Sequence, residues 1–140
     1  MRKPAILAGF VGFPGAFGTV RAEPTNYCTL LTQAEAAVAL GAPVKPGEMS
    51  ISGCQWGAQG GSGFVQIQVA DARYYQRPPK QAKMISGVGL EAYSYTEMDS
   101  PHAITRTNRS VIVVWTDGEK ASFEKVVDLL KIVVDRVERE

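Results

Sequence analysis

The C-terminal end of the chain sets the strongest constraint on its fold. After Asp117 and Gly118 break the chain, Phe123, Val126, Leu130, Val133 and Val137 recur at intervals of three and four. Glu124, Lys125, Asp128, Lys131, Asp135 and Arg136 fall largely elsewhere. That spacing predicts a long helix running to about Glu138 with one continuous apolar stripe. The stripe has to be buried, and the segments before it are written in a different period. There the apolar residues alternate, as strands require. The chain is therefore expected to be α+β, with a long last helix lying across one face of an antiparallel sheet.

About five strands can be read. Ile51 to Gly57 places Cys54 and Trp56 on one face, and Phe64 to Val69 turns Val65, Ile67 and Val69 inward and Gln66 and Gln68 outward. Gly60-Gly61-Ser62-Gly63 joins them as a hairpin. The set Gly57-x-x-Gly60-Gly61-x-Gly63 lacks a lysine and precedes a strand, so it is not a phosphate loop. Leu90 to Tyr95 reads as a third strand. His102–Thr107 and Ser110–Thr116 read as a second hairpin turning at Asn108-Arg109. Val111 to Trp115 is apolar on both faces, which predicts the most buried strand. Lys45 to Glu48 reads as loop, and Asp71 to Lys83 is irregular, with at most a turn of helix before Pro78-Pro79. A short first helix spans about 32 to 40: Thr32 and Glu35 form a capping box, and Gly41 and Pro43 end it.

The first 22 residues read as an address. Arg2 and Lys3 are followed by no charge from Pro4 to Val20, and Val20-Arg21-Ala22 presents small or medium side chains to a signal peptidase. This is a secretory signal peptide, cleaved after Ala22, leaving residues 23–140 as one periplasmic or secreted domain. Four glycines and Pro14 interrupt the run, against a membrane anchor. Cleavage removes three cations, so the formal charge of +1 becomes about −2. Such a surface lacks the positive field that nucleic acid demands. Cys28 and Cys54, an even pair in an oxidising compartment, read as one disulfide. Thr25-Asn26-Tyr27 is no lipobox, so Cys28 is not expected to be lipidated.

One combination resembles a known family. Cys28-Thr29-Leu30-Leu31-Thr32-x-x-Glu35-Ala36, Leu40-Gly41, Cys54-x-Trp56 and Gly87-Val88-Gly89-x-x-Ala92-Tyr93 resemble a family of small bacterial exported domains of unknown function, many of them lipoproteins. The resemblance implies a disulfide that clamps the first helix against the first strand. It implies no reaction and no catalytic residues.

Candidate chemistry is sparse. His102 is the only histidine, and although Asp99 and Ser100 lie beside it, adjacency in sequence is not a triad; it reads as an exposed loop residue. No serine has a nucleophile-elbow context. One histidine and two oxidised cysteines leave no metal set and no cofactor is indicated. Glu91, Glu97 and Asp99 lie near the third strand but read as solvated acids. The stretch Arg73-Tyr74-Tyr75-Gln76-Arg77 with Lys80 and Lys83 is the best binding candidate, since arginine and tyrosine dominate binding hot spots. Arg73, Tyr74, Tyr75, Arg77 and Lys80 are expected to meet a protein or an anionic envelope component. Trp56 is expected against the disulfide and Trp115 at the core or its rim. Tyr93 and Tyr95 point the same way and could line a groove beside Trp115, although covering the core is their plainer role. The reading is an exported, non-enzymatic binding module; a small envelope-acting enzyme and an inhibitor of an exported enzyme are the alternatives.

Overall fold

The computed structural model describes residues 26–139, so the expected signal peptide lies outside the described residues. Seven strands form one antiparallel sheet: β1 Glu48–Ser50, β2 Gly53–Gly57, β3 Phe64–Asp71, β4 Lys83–Met84, β5 Glu91–Glu97, β6 Ser100–Arg106 and β7 Ser110–Asp117. Their order is β1-β2-β3-β7-β6-β5-β4. Two meanders, β1 to β3 and β4 to β7, thus meet along the β3–β7 pair. The α+β class and antiparallel sheet hold, with seven strands where about five were expected. The additional two, β1 and β4, are edge strands of three and two residues with exposed side chains. They are too short to carry a period, and backbone pairing alone defines them.

One face of the sheet is the core. Cys54 and Trp56, Val65 and Ile67, Ile112 and Val114, Ala103 and Thr105, and Ala92 all point to it and are buried. The long helix α2, Phe123–Glu138, lies over this face against β6 and β7 with Val126, Leu129, Leu130, Val133 and Val134 buried. Each such side chain contributes about 2 kcal/mol of burial before ordering costs. Phe123, expected in the stripe, is 44% exposed instead. It occupies the first helical position beyond the Ser122 cap, and the stripe takes up Leu129 and Val134 in its place. The most continuously buried strand is β6 rather than β7. Small residues let β6 lie close under α2, whereas Val113 and Trp115 of β7 stay half exposed on the far face.

The first helix, α1 Gln33–Leu40, has the expected reciprocal capping box between Thr32 and Glu35 and a left-handed Gly41 at its end. A disulfide joins Cys28 to Cys54. It ties the 3-10 turn Tyr27–Leu30 to β2, so the clamp acts on the turn ahead of α1 rather than on α1 itself. Glu35 has a second partner: Arg136 of α2 grips it with two hydrogen bonds of 2.7 and 2.8 Å and also donates to the Leu30 carbonyl. The Gly87-Val88-Gly89 approach has a steric reason. Gly89 has φ +59°, and a Cβ there would sit 2.3 Å from Thr105 Oγ1. That close pass lets the Thr105 hydroxyl reach the carbonyls of Val88 and Glu91.

Topology decides what covers the second face. The chain leaves β3 near the middle of the sheet and must reach β4 at the far edge. Residues 72–82 therefore cross over β7, β6 and β5 on the side away from α2. They begin as a 3-10 turn, Ala72–Tyr74, capped by Asp71. Two bonds pin this strap to β5: Tyr75 donates to Glu91 at 2.5 Å, and Tyr93 donates to the Gln76 carbonyl at 3.0 Å. Beneath it Tyr93, Ile104 and Val111 form a second buried cluster joined by Tyr75 and Ala82.

Candidate functional site

The strap covers only part of its face. Antiparallel pairing lines residues up in rows across the strands, and one row runs beyond the strap. In it, Gln66 of β3 faces Trp115 of β7, Trp115 faces His102 of β6, and His102 faces Tyr95 of β5. Side chains in such a row touch their neighbours, because directly opposed Cβ atoms lie about 5 Å apart. Three of the four are rings. His102 stacks on Trp115 with centroids 5.2 Å apart and planes 7° from parallel. Tyr95 follows at 5.0 Å from His102, Tyr93 at 5.5 Å from Tyr95, and Tyr75 at 6.1 Å from Tyr93. An aromatic ladder therefore runs from the centre of the sheet to the strap.

The ladder floors a groove of two adjoining basins. The basin at the strap, about 560 Å³, is walled by Tyr74, Gln76, Arg77 and Pro79. The other, about 480 Å³, holds Trp115 and His102 and is bounded by Phe64, Met98, Glu97 and Asp117. They share Gln68, Tyr95, Glu97 and Val113. The rim at Met98 is a two-residue turn between β5 and β6, with Met98 and Asp99 both left-handed at φ 51° and 64°. Those signs match a twist-compatible hairpin turn without the usual glycine. Another depression, between Tyr27, Asn108 and Val137, has mainly polar walls and no aromatic row.

His102, expected in an exposed loop, is 7% exposed within β6. Its Nδ1 lies 2.9 Å from the Ser100 carbonyl, which can only accept, so Nδ1 is the donor there. Glu97 is the nearest charge to Nε2, at 3.8 Å, beyond hydrogen-bond length. Ser100 spends its hydroxyl on Asp117 at 3.2 Å. The tyrosines are locked as phenols: burial, then Glu97, pushes Tyr95 up to about 12. Burial and the hydrogen bond to Glu91 raise Tyr75, and burial raises Tyr93.

The basic and aromatic stretch divides between these surroundings. Tyr74 and Arg77 line the groove, whereas Tyr75 turns inward as the strap's anchor beneath Arg106. Arg73 lies over Tyr74 and 3.8 Å from Asp71. Lys80 is exposed and is not part of the groove wall, and Lys83 sits on the short edge strand β4. Tyr93 is 3% exposed in the second buried cluster, the plainer covering role, while Tyr95 and Trp115 border one basin with His102 inserted between them. Trp56 is buried in the core beside Cys54 on β2. Sequence reasoning missed His102, Glu97 and Asp117 as a group. The signal was in the hairpin centre: pairing outward from Asn108-Arg109 sets His102 opposite Trp115.

Among the described residues no group of three or more histidine, cysteine or acidic side chains is placed to hold a metal. No helix among them is long and apolar enough to cross a membrane. No family model, no curated protein and no solved structure matches the chain.

Proposed function

We propose that the protein is an exported, non-enzymatic binding module that takes an envelope component or a protein partner into the groove over the open sheet face. The observation that carries this reading is the ladder Tyr93–Tyr95–His102–Trp115, stacked ring to ring and half covered by a strap. Rings held this way are rigid, so a ligand gains contact area at little ordering cost. Tyr95 and Trp115 keep ring surface partly exposed beside the groove. Tyr74 and Arg77 of the strap, the hot-spot residue types, extend the wall. The disulfide supports an oxidising compartment and so the export. A hydrolytic reading would need a free nucleophile beside His102, and the hydroxyl of Ser100 is engaged by Asp117.

Site-specific photo-cross-linking in the protein's native compartment tests the proposal. A benzophenone side chain replacing Met98, 92% exposed at the groove rim, should yield one discrete adduct. The same group replacing Val38, 74% exposed on α1 behind the sheet, should yield none. Trp115→Ala should abolish the Met98 adduct. An adduct that forms equally from Val38, or that survives Trp115→Ala, overturns the reading.

A further inference from the structure

The acid end of the groove is selective in its chemistry. Among the described residues its charged walls, Glu97 and Asp117, are both carboxylates, and the one cation lining the groove, Arg77, lies at the strap end. His102 adds a third acceptor. Its side chain is 9% exposed, yet His102 lines the groove and its Nε2 has no hydrogen-bond partner among the described residues. In the neutral imidazole, Nδ1 donating to the Ser100 carbonyl leaves Nε2 as an acceptor. Beside these acceptors stand the faces and edges of Phe64, Tyr95 and Trp115, whose ring quadrupoles attract cations.

We infer that this basin takes an arginine side chain presented by a protein or peptide partner. The inference rests on the groove being the binding site and goes on to name what enters it. A guanidinium is planar and can slide beside near-parallel rings; it is also weakly hydrated and carries N–H donors in a fork that matches carboxylates. Those donors would meet Glu97, Asp117 and the unpaired His102 nitrogen together. An anionic group would face two carboxylates, which places acidic partners at the Arg77 end instead.

Titration of the protein with acetyl-Ala-Arg-Ala-amide, followed by tryptophan emission, is the test. Its citrulline and glutamate counterparts run in parallel. Trp56 is buried, so the change should come from Trp115 and vanish in Trp115→Phe. The arginine peptide should saturate, with the citrulline peptide at least about tenfold weaker. Glu97→Gln alters a largely exposed side chain and leaves the fold intact; it should weaken the arginine peptide by about tenfold, and Asp117→Asn likewise. Lys131→Ala, exposed on α2 behind the sheet, should not weaken it. Equal binding of the citrulline or glutamate peptide, or no effect of Glu97→Gln, overturns the arginine assignment and leaves the groove standing as a binding surface. No saturable response to the arginine peptide up to about 10 mM also overturns it, since that excludes even millimolar affinity; the cross-linking at Met98 then decides separately whether the groove binds anything.

Discussion

Thr116 carries the one buried side-chain polar atom without a partner among the described residues. It lies on the core face of β7, opposite Val65, and is fully buried. A hydroxyl in that position costs desolvation and returns nothing. Thr116→Val keeps the shape, removes the hydroxyl and should raise unfolding stability by about 1 kcal/mol. The urea midpoint should rise with no change in slope. A lower midpoint would mean that the hydroxyl is satisfied after all. Thr105, fully buried on the adjacent strand β6, shows the contrast, because its hydroxyl reaches two carbonyls that Gly89 brings close. Residue type alone could not separate these two threonines. Each reads as a β-branched strand former, and only the neighbours decide which hydroxyl is spent.

The capping box of α1 was legible in Thr32-x-x-Glu35, because a cap is a local arrangement within four residues. The partner of Glu35 was not legible, since Arg136 stands 101 positions away. The hydrogen bonds from Arg136 hold the Glu35 carboxyl down at about 2, aided by the Thr32 backbone N–H and opposed by burial. Because the folded value lies below the ordinary 4.5, the gain is fully present above about pH 4.5. It is lost as pH falls towards 2. Both side chains are about a third exposed, so solvent screening trims the gain to about 1–2 kcal/mol. Glu35→Gln should cost that much at pH 7 and flatten the stability curve between pH 4.5 and 2. Chemical denaturation at half-unit pH steps checks it; an acid limb of unchanged steepness would show that the pair does not stabilise the fold. The strands divide in the same way. The long ones announced themselves by alternation, while β1 and β4 are defined by hydrogen bonds to a neighbour's edge.

At the scale of the molecule, the disulfide and α2 both hold the one core, and they meet at the turn Tyr27–Leu30. The Cys28–Cys54 bridge closes a loop of sequence separation 26. Reducing the unfolded chain's freedom by that much is worth about 3 kcal/mol. Cys28→Ala with Cys54→Ala should lower the free energy of unfolding by that amount while the groove, on the other face, keeps its shape. Urea unfolding measures the first, and the Met98 cross-link reports the second. Loss of the adduct in a folded variant would show that the bridge also shapes the groove. The sequence by itself determined the α+β class, the long striped helix, the capped first helix and the two glycine- and asparagine-marked hairpins, because each depends on periods and caps within a few residues. It also singled out Arg73 to Arg77 and paired Tyr93 with Tyr95. Only the tertiary structure decided that β3 pairs with β7, that the strap must therefore cross the open face, and that Tyr95, His102 and Trp115 stack in one row. Those facts rest on hydrogen bonds between strands far apart in the chain, and no local pattern of side chains records which edge a strand will meet.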